Sequence, residues 1–338
     1  MRPSLRAPLI ALSACSTILL AVAVSSPAVA APSPAAAVSA TAHASGTAAT
    51  DRASVRNAVA KYWTPERMAR AIPADGAKPH GSARDQPTPT GPRRSVAPAT
   101  PTHQPAAAAA AHAGTGIQPA TTINASPTVG KVFFHDPGDG LDYVCSGSAV
   151  NGSAKNLVST AGHCVYDADH SKWMTNWQFV PYYDHGDRPY GTWYAAQLTT
   201  FQGWTSDGDS DWDVGFVNVW RNDGTRLVDT VGGDGIEFNY PKDLYITILA
   251  YPAEDPFDGE WQYYCQNNIY PHGSEQIGFD CLLTGGSSGG PFFDRYNNST
   301  YLGYVDGIVS HGPDDVSYSP YFDTDVMNLY NEVASYTT

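Results

Sequence analysis

Of the chain's 39 aromatic residues, all but Tyr62 and Trp63 lie after Ser126. Only the 212 residues of 127–338 therefore hold the apolar mass for a sizeable core, and most of the first 126 cannot build one. Charge divides at the same place. Residues 1–126 carry 11 Lys/Arg against 4 Asp/Glu, a net of +7, and residues 127–338 carry 8 against 29, a net of −21. The whole-chain value of −14 averages two unlike materials. A module at −21 repels phosphate backbones, which argues against nucleic acid as a partner.

Residues 1–30 read as a signal peptide. Arg2 and Arg6 precede an apolar run from Ala7 to Val24, and Ala28-Val29-Ala30 gives a small-x-small cleavage site. A lipoprotein box at Leu12 to Cys15 is the lesser alternative. The expected location is extracellular, with no membrane contact once the signal is cut. That cut removes Cys15 and leaves Cys145, Cys164, Cys265 and Cys281. An even count in an exported chain suggests two disulfides, and sequence alone permits three pairings. No C-x-x-C pair or clustered histidines support zinc, and no metal or cofactor is expected.

Residues 31–126 read as a pro-region and linker. Residues 31–50 are Ala/Ser/Thr/Pro and read as disordered. Between 51 and 72 a short helical hairpin is expected. Asp51 caps the first helix, Val55, Ala58, Val59 and Tyr62 line one face, and Thr64-Pro65-Glu66 restarts the chain. The hairpin has too little apolar surface to fold alone. Residues 74–123 read as a linker. From Val129 short strands follow, such as Val132 to Phe134, Trp177 to Val180, Trp193 to Leu198, Val214 to Val219 and Leu244 to Leu249. Gly/Asp/Asn/Pro clusters separate them, a pattern of all-β sandwiches and barrels. Thr324 to Val333 reads as a short amphipathic helix.

Three local signals carry chemistry. Ser159-Thr160-Ala161-Gly162-His163-Cys164 ends a strand on a histidine among small residues. A lone histidine is more often structural, but a disulfide at Cys164 would fix the backbone bearing the ring. Gly285-Gly286-Ser287-Ser288-Gly289-Gly290-Pro291 brackets a serine with glycines. They allow a tight turn whose N–H groups converge on one point, a nest for a developing oxyanion. A plain Gly/Ser linker is the competing reading, but Pro291-Phe292-Phe293 and a strand follow directly. Asp213 opens a strand that is apolar on both faces, so its carboxylate needs a buried donor such as a histidine N–H. It can also be read as a turn residue. Asp207, Asp209, Asp211 and Asp213 alternate like the start of a calcium loop. That loop's glycine and glutamate positions are filled by Trp212 and Asn218.

The order His163, Asp213, Ser288, with the two motifs around its ends, makes residues 127–335 resemble the chymotrypsin-like (trypsin-superfamily) secreted serine peptidases. Tyr62 to Met68 is similar to a pro-region segment of actinobacterial extracellular peptidases. The resemblance implies two antiparallel β-barrels with the active site between them and a C-terminal helix. It implies Ser288 as nucleophile, His163 as general base, Asp213 as its orienter, and the Gly286 and Ser288 N–H groups as oxyanion hole. It implies the disulfides Cys145–Cys164 and Cys265–Cys281, with Ser310, His311 and Gly312 as a substrate-pairing edge and Leu282 at the pocket. Partners would be protein or peptide substrates and the chain's own pro-region, on a monomeric enzyme. Ser287 departs from the aspartate that usually precedes the nucleophile, so activation through a newly freed N-terminus is not expected. Opposite charges suit the pro-region to dock on the domain it precedes. Two alternatives remain: a catalytically inactive peptidase-like binding domain, and an α/β-hydrolase. The latter orders its triad Ser, Asp, His, and only His311 follows Ser288.

Overall fold

Val129–His135 is buried at six of its seven positions, as expected of a strand covered on both faces. It is the centre of the first half of the molecule. A computed structural model describes residues 33–46, 51–74, 91–103, 115–116 and 123–338, so the signal-peptide reading of 1–30 lies outside the described residues. Among those described, no helix is long and apolar enough to cross a membrane.

The first barrel has six antiparallel strands. They run in the order Trp193–Phe201, Thr175–Pro181, Val129–His135, Asp142–Val150, Leu157–Thr160 and Gly215–Val219. Pairing of Gly215–Val219 back onto Trp193–Phe201 closes it. Gly215–Val219 is buried at every position, so the apolar pattern on both its faces does mark a doubly covered strand.

The second half departs from a simple antiparallel barrel. Tyr263–Asn268, Tyr245–Ala250, Pro291–Asn297 and Leu302–Ile308 run antiparallel, but Gly235–Phe238 joins Leu302–Ile308 in parallel. A separate three-stranded sheet, Tyr270–His272, Gln276–Asp280 and Val316–Pro320, completes it. Both sheets feed one core containing Ile246, Ile248, Ile277, Phe279, Phe292 and Val309. Each such side chain contributes about 1.5–3 kcal/mol on burial. The helix Thr324–Val333 starts where expected. Asp323 Oδ1 accepts from the Asp325 and Val326 N–H groups at 2.8 and 3.1 Å. Its buried face, Val326, Leu329, Tyr330 and Val333, returns to the first barrel, where Asn218 Nδ2 donates to Val333 O at 3.0 Å.

The upstream chain corrects the expectation of disorder over 31–50. Ala37–Thr41 is a strand antiparallel to Trp193–Phe201, pairing Ala37 with Phe201 and Thr41 with Gln197. The helices Arg52–Tyr62 and Pro65–Met68 follow, with Val55, Val59, Trp63 and Met68 buried. Ile72–Pro73 then pairs in parallel with Tyr143–Val144. Within the expected linker, Arg94–Val96 pairs with Ile236–Phe238. The physical reason is that a sheet edge offers backbone donors and acceptors. Small Ala/Ser/Thr side chains can occupy that edge without any core of their own.

Candidate active site

The strand Leu157–Thr160 runs into one 3₁₀ turn, Gly162–Cys164, and this turn places His163. The Cys145–Cys164 disulfide fixes the turn's far end. Gly215 pairs with Thr160, and this register brings Asp213, just upstream, level with the histidine. Asp213 is wholly buried. Its Oδ1 accepts from the His163 backbone N–H at 2.7 Å. Its Oδ2 accepts from His163 Nδ1 at 2.9 Å and from Ser310 Oγ at 2.6 Å. Three donors meet the cost of burying the carboxylate. With Nδ1 donating, His163 presents Nε2 as an acceptor, and that atom is buried without a partner.

Ser310 spends its one proton on Asp213, so the 3.0 Å contact between Ser310 Oγ and His311 Nδ1 has the imidazole as donor. His311 also lies 5.4 Å from the Tyr318 ring, and burial pushes its pKa down. The sequence placed Ser310 only on a substrate edge, and its bond to Asp213 is a tertiary contact that no local motif announces. Leu282 is 37% exposed, on a rim where the flanking Cys281 and Leu283 N–H groups donate to Asp315 O and Asp314 O. Cys265 and Cys281 are disulfide-bonded.

Ser288 sits on a loop locked to the histidine turn. Its carbonyl accepts from Ser146 N–H at 2.7 Å, and Ser146 adjoins the bridged Cys145. Gly289 has φ +80°, and a Cβ there would strike Thr160 Oγ1 and Ser146 O, so glycine is required. The Gly285 carbonyl accepts from Ala253 N–H at 2.8 Å and the Ser287 carbonyl from Gly290 N–H at 2.8 Å. In a trans peptide the N–H points opposite the C=O. The Gly286 and Ser288 N–H groups are thereby turned the other way, and neither donates to another group among the described residues. Ser287 Oγ, by contrast, is buried and unpaired inside the loop.

Asp211 accepts from Gln276 Nε2 at 2.7 Å, and Asp209 accepts from Asp211 N–H at 3.1 Å. With Asp213 turned to His163, the alternating acids do not converge as a calcium loop would require. Among the described residues the one group of three or more His, Cys, Asp or Glu whose ligand atoms converge is Cys145, His163 and Cys164, and its two sulfurs are bonded to each other.

Comparison with known proteins follows the same line. No family model matches the chain. Two solved structures align over nearly their whole length with about three fifths of this chain. One is a thermostable serine protease AL20 from an extremophilic microorganism, at 34% identity and TM-score 0.59, covering 62% of this chain and 98% of that one. The other is protease Anisep from Arthrobacter nicotinovorans, at 36% identity and TM-score 0.58, covering 63% and 97%. Among curated proteins, the "Extracellular metalloprotease" of Bacillus subtilis is 26% identical over 201 residues, 59% of this chain and 61% of that protein. The "Glutamyl endopeptidase" of Bacillus licheniformis is 27% identical over 145 residues, 42% and 44%. The chain thus spans about three fifths or less of the length of these curated relatives. It belongs to the bacterial chymotrypsin-like serine proteases. An α/β-hydrolase is excluded by the antiparallel barrel, which has no parallel sheet flanked by helices.

Proposed function

We propose that this chain is a secreted serine endopeptidase whose acyl-enzyme forms on Ser288. The observation that carries the reading is the His163–Asp213 pair. Its Nδ1 is committed to a buried carboxylate and its Nε2 is buried and unpaired. Such an imidazole is a general base awaiting an O–H. Ser288 attacks the scissile carbonyl, its proton passes to His163 Nε2, and Asp213 stabilises the imidazolium. The negative oxygen falls between the Gly286 and Ser288 N–H groups. His163 then protonates the leaving amine, and water activated in the same way frees the serine. Beside the site, Ser310 C=O and both backbone groups of Gly312 are unpaired among the described residues, an edge that fits an extended peptide.

The signal peptide 1–30 directs export, and the upstream segment acts as a pro-region that covers the domain until it is cut. Asn124 is tied to Asn298 and Tyr296, and Ser126 to Gln262 and Tyr301. Processing therefore falls upstream of Ile123. Purified protein should cleave an unfolded protein at internal bonds, and Ser288→Ala should abolish this while the melting temperature holds. A well-folded, processed chain that cleaves nothing would favour the inactive binding domain.

A further inference from the structure

The loop that carries the oxyanion donors is held by residues outside the proposed triad. In place of the aspartate that could pair with a freed N-terminus stands Ser287, whose side chain makes no hydrogen bond. The loop is instead gripped from two sides. Ser146 Oγ donates to Gly286 O at 2.9 Å and accepts from Tyr251 N–H at 2.8 Å. On the other side is the turn after Tyr245–Ala250. Ala253 N–H fixes Gly285 O, and Glu254 Oε2 accepts from Gly285 N–H at 3.1 Å. Thr284 Oγ1 donates to Glu254 O and accepts from Glu254 N–H, each at 3.2 Å. The same turn is anchored to the first barrel, where Lys131 Nζ and Tyr183 OH bind the Glu260 carboxylate at 3.1 and 3.0 Å.

We propose that Glu254, with Ser146, is a positioning residue of the oxyanion hole, setting the direction of the Gly286 N–H by fixing the peptide units on either side of the one that carries it. The chain of contacts is short. Glu254 holds the amide of Gly285, Ala253 holds its carbonyl, and that carbonyl shares a peptide plane with the Gly286 N–H. Every one of these bonds is present with the upstream segment in place. Pro73 lies against the same loop, with its Cβ 3.1 Å from where a Gly285 Cβ would stand. The hole is therefore built before the upstream chain leaves, and that chain governs access to it.

The inference rests on the reading of Ser288 as nucleophile, and the test separates the two. The full-length chain and whatever processed form it yields carry Glu254→Ala, Glu254→Gln or Ser288→Ala. Each is assayed for peptide hydrolysis, labelling by a small fluorophosphonate, and inhibition by a peptidyl boronate that forms a tetrahedral adduct. Glu254→Ala should lower kcat on the order of tenfold with KM little changed. That is less than the 10²–10³ lost with an oxyanion donor itself. Boronate inhibition should weaken in parallel. Glu254→Gln, which keeps an acceptor, should restore most of the activity, and all variants should melt with wild type. Wild-type kcat and boronate affinity in Glu254→Ala overturn the proposal, as does an equal loss in Glu254→Gln. Labelling that survives Ser288→Ala overturns the underlying reading instead. Wild-type full-length chain should accept the small fluorophosphonate at nearly the processed rate, and a silent full-length chain contradicts a hole built in advance.

Discussion

At the residue scale the acid of the proposed triad is the sharpest point. Four alternating aspartates precede the Gly215–Val219 strand, and only Asp213 reaches His163. An asparagine there would offer an amide N–H to Nδ1 and favour the tautomer that protonates Nε2. Asp213→Asn should therefore cost kcat about 10⁴ near neutrality, as this substitution does in the archetypal triad. Asp211→Asn should stay near wild type, because Asp211 bonds Gln276 instead. The reverse ranking in kcat would assign the wrong acid. His163 and Ser288 were legible as candidates because their chemistry is local, a small-residue turn in one case and a glycine bracket in the other. Asp213 was legible only as an acid at the mouth of a buried strand. Ser146 and Glu254 left no local signal, because their partners lie about 140 and 31 residues away along the chain.

At the scale of elements, the strands and the last helix could be read from alternation and amphipathic spacing, whereas the upstream edge strands could not. Composition registers side chains, and Ala37–Thr41 is held through its backbone. The helical hairpin was legible, and the partner it needed is the barrel wall. Trp63 is the anchor. It is 3% exposed, packs tilted against Phe133 with ring centroids 5.6 Å apart, and donates Nε1–H to Asn176 O at 2.6 Å. Trp63→Ala should loosen the segment by about 3 kcal/mol. That corresponds to roughly a hundredfold rise in chains with the segment undocked. A substrate-sized peptidyl probe should then label the unprocessed chain faster, and an unchanged rate would place the covering contacts elsewhere. The opposite charges of the two segments reduce, among the described ion pairs, to Arg56–Asp223 and Arg67–Asp142. Surface pairs contribute about 0–1 kcal/mol each, so added salt should change that rate little.

At the scale of the whole molecule, the charge division seen in the sequence has a structural counterpart. Part of the excess acid is buried in the second half. Glu237 is wholly buried on the strand that Arg94–Val96 edges, opposite Ser95, and its Oε2 accepts from Arg295. Burial, reinforced by Asp294 and opposed by Arg295, pushes its carboxyl from the ordinary 4.5 up to about 8. The fold thus retains a proton that the unfolded chain releases. Stability from this group is full below about 4.5 and is lost as pH rises toward 8. In the full-length chain, Glu237→Gln should flatten the fall in melting temperature across that window and match wild type below it. An unaltered slope would mean that the proton resides elsewhere, Asp136, Asp234, Asp306 and Asp323 being further carboxyls pushed up by burial. In the proposed mechanism the two halves meet to make one serine nucleophilic. The most direct measurement is peptide mapping after fluorophosphonate labelling of the purified protein. A single adduct on Ser288, absent from Ser288→Ala and strongly slowed in Asp213→Asn, is the expected result. An adduct on Ser287 or elsewhere, or one that persists in Ser288→Ala, would contradict it.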